Sequence, residues 1–148
     1  MKFTGLASLI LFALGPLATR ADTVAYDQTY DDASNSLNIV ACSNGANGLE
    51  SLGFTTFGSL PDFPFIGAAG AVEGFNSVNC GTCWQLTYTA AGVSNTIDIL
   101  AIDHAGAGTF NIALEAMNTL TDNQAVFLGR VNVTSVQVDR TVCGLPAA

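Results

Sequence analysis

The stretch Cys80-Gly81-Thr82-Cys83-Trp84-Gln85-Leu86-Thr87-Tyr88-Thr89 places two cysteines at the head of an alternating run. Trp84, Leu86 and Tyr88 fall on one face and Gln85, Thr87 and Thr89 on the other, which is the period of a half-buried β-strand. The remaining cysteines, Cys42 and Cys143, lie far off on either side. A thioredoxin-like redox reading of Cys80-x-x-Cys83 needs the first cysteine to open a helix, whereas here the second runs straight into a strand. A structural zinc would require Cys42 and Cys143 as its other ligands, and these form no second close pair. Disulfides remain. On the chain-entropy estimate a local Cys80–Cys83 bridge adds only about 2 kcal/mol, against about 4 kcal/mol for each bridge to a distant cysteine. Loop lengths leave open whether Cys42 pairs with Cys80 or with Cys83.

Working outward, Ala91-Gly92 with Ser94-Asn95 reads as a hairpin connection. Thr96 to Asp103 follows as a strand apolar on both faces, hence central and buried. It runs out at Asp103-His104 into a glycine-rich loop through Asn111. Ile112, Ala113, Ala116, Met117 and Leu120 share one helical face, with Asn111 as the expected N-cap. A short helical piece, Ala125 to Leu128, ends at Gly129, and Val131 to Arg140 reads as the closing strand. Upstream, Val24 to Tyr30 reads as an opening strand in which Tyr26 and Tyr30 pack. Asn44-Gly45 marks a turn, and Asn47 is the expected cap of a helical turn through Leu52. The long loop region 53–79 carries Phe54, Phe57, Phe63, Phe65 and Phe75, most of them expected to anchor it in the core rather than to stand exposed as binding aromatics. One mainly β domain with short helices, a barrel or a sandwich, accounts for the 148 residues.

Residues 1–21 have the layout of an export signal: Lys2, an apolar run from Leu6 to Leu14, and Thr19-Arg20-Ala21 before Asp22. The apolar run falls short of the roughly 20 residues that span a bilayer, so no membrane span is expected. Export leads to an oxidising compartment, where disulfides persist. Beyond this segment Arg130 and Arg140 face twelve carboxylates, and the formal charge goes from −8 for the whole chain to −10. Such a surface repels phosphate backbones and anionic lipids, so no nucleic-acid partner is expected. Abundant Ser, Thr, Asn and Gly suit a neutral partner instead.

Cys42-Ser43-Asn44-Gly45, Cys80-Gly81-Thr82-Cys83-Trp84 and Val136-Gln137-Val138-Asp139 before Cys143 together resemble the fungal cerato-platanin family. Tyr26-Asp27 and the Asp103 to Asn111 loop fit as well. The resemblance covers residues 24–145 and implies a cerato-platanin domain over 22–148, built as a six-stranded double-ψ β-barrel like the first domain of expansins. It also implies the pairing Cys42–Cys80 with Cys83–Cys143. Such proteins are secreted or wall-associated, carry no cofactor or metal, bind chitin oligomers, loosen cellulose without hydrolysing it and provoke plant defences. Some self-assemble at air–water interfaces.

By the same resemblance Asp103 matches an acidic residue tied to loosening, and Asn111 an asparagine on the same loop. Tyr26, Asp27, Asn44 and Gly45 fall on motifs expected at a shallow groove. A carboxylate and amides are suited to hydrogen-bonding sugar hydroxyls and N-acetyl groups. His104, the only histidine, reads as a surface loop residue. Glycoside hydrolysis needs a second carboxylate opposite Asp103; Asp27 and Asp98 are the candidates, and strand alternation puts Asp98 on the face opposite Asp103. Adjacent Asp103 and His104 point apart and no Gly-x-Ser-x-Gly elbow occurs, so a nucleophilic triad has no basis. The expectation is therefore a non-catalytic glycan-binding and wall-loosening protein that a plant receptor perceives. It is expected as a monomer capable of self-assembly. Its rivals are an interface-active surface protein and a weak polysaccharide hydrolase. Asn132-Val133-Thr134 is a sequon that permits N-glycosylation at Asn132.

Overall fold

The alternating run after Cys83 forms strand β3 (Cys83–Ala90), paired antiparallel with β4 (Val93–His104) across a two-residue hairpin turn. Ala91 and Gly92, at φ 49 and 78, supply the left-handed conformations such a turn requires; Ser94 and Asn95, expected in the connection, already belong to β4. The computed structural model describes Gly15 and residues 18–148. Most of the expected export segment lies outside those residues, although Arg20 and Ala21 open strand β1 (Arg20–Tyr26). The other strands are β2 (Ile66–Ala69), β5 (Thr109–Ile112) and β6 (Arg130–Val138).

These six strands close into one barrel in the order β1-β5-β2-β4-β3-β6, with parallel pairs β1–β5 and β2–β4 among antiparallel ones. Closure leaves no strand edge unpaired. Trp84, Leu86, Ile97, Ile99, Phe110, Ile112, Val24, Val131 and Val133 are all buried. Cross-strand partners share a face, and the pairs Trp84–Ile99, Leu86–Ile97, Val24–Phe110 and Val24–Val131 place these side chains inside the barrel. Trp84 meets Phe110 edge-on at 5.7 Å.

A second shell of core covers the outside of β4. Leu100 and Ile102 are fully buried although they point away from the interior. They lie under the long connections, which are held by backbone bonds such as Leu100 N to Phe65 O and Cys42 N to Ile102 O. Phe57 is fully buried here, and Phe54, Phe63 and Phe65 pack against the cluster, as expected of most of them; Phe75 is 65% exposed. The disulfides join Cys42 to Cys80 and Cys83 to Cys143. The first ties these connections to the foot of β3, and the second ties on the chain's last turn.

Three local expectations differ. The opening strand stops at Tyr26 and gives way to a 3-10 turn, Gln28–Asp31. Asn111 lies within β5 rather than capping helix α1 (Leu114–Leu120), whose N-cap is Ala113. The free amides of α1 go instead to Asp31, whose carboxylate accepts from Leu114 N at 2.8 Å and Glu115 N at 3.0 Å, a cap supplied from far away in sequence. Asn47 does not cap the turn at Leu49–Leu52 either, because its side chain donates to the Asn76 carbonyl at 2.9 Å. The helical piece α2 (Ala125–Leu128) does end at Gly129, at φ 67.

Candidate functional site

Asp27 caps the 3-10 turn after β1, accepting from Thr29 N at 2.8 Å. The turn swings Tyr30 inward until it is 5% exposed, with its ring 6.0 Å from that of Phe57. The Tyr30 hydroxyl donates to Asp103 Oδ2 at 2.9 Å. Burial raises the phenol well above its ordinary range, and the adjacent Asp103 and then Asp27 push it further in the same direction.

Asp103 reaches this position through an irregularity in β4. Gly67 pairs with Ala101, yet the next residue, Ala68, pairs with Asp103, so Ile102 is skipped. Such a bulge reverses the alternation beyond it. Ala101 stays on the inner face with Ile97 and Ile99, while Asp103 turns to the outer face. That corrects the parity expectation: Asp98 and Asp103 share the outer face, separated along the strand by about 17 Å at the usual rise.

Asp103 Oδ1 accepts from Ala41 N at 3.0 Å and from its own neighbour His104 N at 2.8 Å. Three of the roughly four lone-pair sites of the carboxylate are thus taken, leaving about one for an outside donor. His104 is exposed, but its Nδ1 lies 2.6 Å from the Val72 carbonyl, an acceptor, so this nitrogen carries the proton. The histidine ties the long connection to the end of β4.

Along the outer face, cross-strand pairing sets Asp103, Ala68, Asn111, Ala25 and Arg130 in one row. Asp103 and Asn111 are therefore two strands apart, about 10 Å. Among the described residues the Asn111 side-chain amide makes no hydrogen bond, so it is open to a ligand. Tyr26 pairs with Ile112 on the opposite, inner face and packs against the core. Asn44 and Gly45 belong to a separate exposed turn beside Cys42. Gly45, at φ 94, is required there: a Cβ would come within 2.7 Å of Asn76 Oδ1.

The row thus holds Asp103 and Asn111 together, with Asp27 linked to Asp103 through Tyr30, while Tyr26, Asn44 and Gly45 stand apart from it. Tyr30 and Ala41, which orient the carboxylate, carried no sequence signal beyond the packing expected of a tyrosine. Asn132 and Thr134 are both exposed on the outer face of β6. Among the described residues no cluster of three or more His, Cys, Asp or Glu is placed to hold a metal ion. No helix of the described residues is long and apolar enough to cross a membrane.

A closed six-stranded barrel of mixed strand direction is an expansin-like fold; here two disulfides bind it and a hydrogen-bonded aspartate stands on its outer wall. A family model described as Cerato-platanin matches residues 22–145, and the chain belongs to the cerato-platanin family. It is 47% identical over 150 residues to "Allergen Asp f 15 homolog" of Arthroderma benhamiae, covering 99% of this chain and 71% of that protein. The crystal structure of cerato-platanin 2 from M. perniciosa superposes with a TM-score of 0.80 at 54% identity, covering 85% of this chain and all of that one. The solution structure of the fungal elicitor cerato-platanin gives 0.71 at 38% identity, with 82% and 95% covered. A Clavibacter michiganensis expansin shares the fold alone, with a TM-score of 0.51 at 17% identity over 88% of this chain and 53% of its own.

Proposed function

We propose that this is a secreted, non-catalytic protein that binds chitin oligomers or related wall glycans on the Asp103–Asn111 strand face. On this reading it loosens wall polysaccharide without cleaving it, and plants perceive it as an elicitor. The observation that carries the reading is the fixed Asp103 carboxylate, held by three donors on the outer face, two strands from an Asn111 amide without a partner among the described residues. That arrangement accepts a sugar hydroxyl and offers an amide to an N-acetyl group. The elicitor role is supported by the solved relative described as one, and export by the disulfides and the leader-like first residues.

A non-catalytic role is supported by the state of the carboxylates. Asp103 is occupied as an acceptor, Asp27 is committed to its turn, and Asp98 stands too far along β4 for the roughly 5–10 Å pairing that glycosidases use. Without a platform of exposed aromatics beside the row, affinity is modest. The test is retention of the exported protein on chitin and cellulose, with Asp103→Ala expected to weaken retention and loosening. Retention on neither polymer refutes the reading, and reducing ends released in proportion to enzyme and lost in Asp103→Asn would replace it with hydrolysis.

An interface-active surface role is favoured by a specific observation, the exposed Phe127 at 87% and Val78 at 79%. It coexists with sugar binding and self-assembly of a monomer. A surface tension equal to that of buffer excludes it.

A further inference from the structure

Eight residues along β4 from Asp103, Asn95 forms a cross-strand pair with Tyr88 of β3 near the hairpin tip. They project on the same face as Leu86 and Ile97, one layer further out, and so stand at one mouth of the barrel. Asn95 Nδ2 donates to the Leu120 carbonyl at 3.2 Å, which fixes the end of α1 across that mouth. The space left is a cleft of about 490 Å³ between Tyr88 and Val93 on one side and Asp122 and Gln124 on the other. A second cleft, of about 480 Å³, runs beside α1 past Asn123 to Gln28. Thr119 lines both, so the two clefts flank it as neighbours and together mark a track from the Tyr30 turn to the hairpin.

The chemistry of the track is specific. Among the described residues the side-chain amides of Gln28, Asn123 and Gln124 make no hydrogen bond; Gln124 shares the first cleft with the half-buried Tyr88 ring, and Gln28 and Asn123 line the second. No lysine or arginine lines either cleft, whereas Asp31, Glu115 and Asp122 do. Asp31 is spent on the amides of α1. The remaining carboxylates repel an anionic polymer. Ala91, Asp122 and Asn123, at φ 49, 54 and 62, are three of the four non-glycine residues of positive φ among the described residues, and all three border the track. Asp and Asn tolerate left-handed backbone better than other residues with a Cβ, and backbone of this kind recurs at ligand sites.

We infer that this track is a second glycan subsite, taking an uncharged, hydroxyl- and amide-bearing oligosaccharide with one pyranose face on Tyr88 and its polar edges on the free amides. For the class of ligand the inference rests on the glycan-binding reading above; its position does not depend on Asp103.

Calorimetry on the full exported chain with the N-acetylated chitin hexasaccharide tests it, using Asn123→Gly/Gln124→Ala and Asp103→Ala. Both replaced amides are on exposed side chains and glycine accepts the Asn123 backbone, so the fold is retained, as near-UV dichroism checks. The double variant is expected to weaken hexasaccharide binding about fivefold per lost amide, and its loss multiplies with that of Asp103→Ala. If the double variant binds like the parent while Asp103→Ala weakens binding, the track is refuted and the Asp103 reading stands. If the double variant weakens binding and Asp103→Ala does not, the track stands and the Asp103 reading falls. Failure of the parent to bind the hexasaccharide overturns both. Binding of only the deacetylated, cationic hexamer overturns the track as a neutral-glycan site and reveals an acidic patch.

Discussion

Deleting a single oxygen, in Tyr30→Phe, measures how firmly Asp103 is held. The Tyr30 hydroxyl donates to Asp103 Oδ2 at 2.9 Å, and the ring packs against Phe57. A hydrogen bond to a charged acceptor contributes about 1.5–3 kcal/mol. Asp103 is partly exposed, which places this bond at the lower end, about 1.5 kcal/mol, or a fall in Tm of about 5 °C for a domain of this size. The phenylalanine ring keeps the contact with Phe57, so little packing is lost. Urea unfolding of Tyr30→Phe, Asp103→Asn and the double variant isolates the pair, with an expected coupling of about 1 kcal/mol or more. Glycan retention in Tyr30→Phe should fall between the parent and Asp103→Ala, because the amides of Ala41 and His104 still hold Oδ1. The alkaline limb provides an independent check. The folded phenol titrates above its unfolded value of about 10, so the stability it adds is complete below that pH and is lost as pH rises toward the folded value. In Tyr30→Phe this limb flattens. A coupling within about 0.3 kcal/mol of zero, where independent sites add, refutes the claim that Tyr30 orients the carboxylate.

Two further perturbations probe one carboxylate left without a partner and one committed to a helix end. Asp62 is half-buried, its Oδ2 has no hydrogen-bond partner, and its carboxyl is pushed up to about 7 by burial first and by Asp98 second. A raised carboxyl adds stability that is complete below the ordinary pKa of about 4 and lost as pH rises through about 7. Asp62→Asn is therefore expected to flatten the loss of stability between pH 4 and 7, and to stabilise the protein at pH 8 by on the order of 1 kcal/mol after solvent screening. Urea midpoints at pH 5 and pH 8 decide it, and an unchanged slope across that window counts against the reasoning. Asp31→Ala removes both acceptors from the start of α1 and is expected to destabilise by about 1–2 kcal/mol. Faster amide exchange at Leu114 and Glu115 than in the rest of α1 identifies the cap as the cause, and uniform exchange argues against it.

Sequence periodicity carried far in β3 and β4, because both faces of β4 are buried and one face of β3 is. There side-chain polarity reports position directly, and Trp84, Leu86, Ile97 and Ile99 fall inside as their pattern requires. The helical stripe through Ala116, Met117 and Leu120 was legible for the same reason, and all three are fully buried. Strand β2 gave no signal. Its four residues, Ile66-Gly67-Ala68-Ala69, are buried throughout, and a short apolar run of that kind has no period to read. Asn111 was misplaced as a cap because a strand residue followed by a helical stripe looks like an N-cap locally. The acceptor that α1 uses comes from Asp31, and nothing in a local window can supply that information.

The same limit decides how much of the candidate site could be read. The identity of Asp103 at the end of the central strand was visible, but its direction was not, since counting by twos places it on the inner face with Ala101. The skipped residue, Ile102, reverses it. Its carbonyl accepts from Cys42 N, and Ala41 N, one residue earlier, reaches Asp103 Oδ1. The bulge, the Cys42–Cys80 staple and the orientation of the carboxylate are thus joined in a few residues. Sequence showed the cysteines as staples and the aspartate as chemistry, two separate features. In the folded chain the segment that Cys42–Cys80 anchors supplies a donor to Asp103. The disulfide that appeared to serve only the scaffold therefore also helps to aim the group on which the proposed function rests.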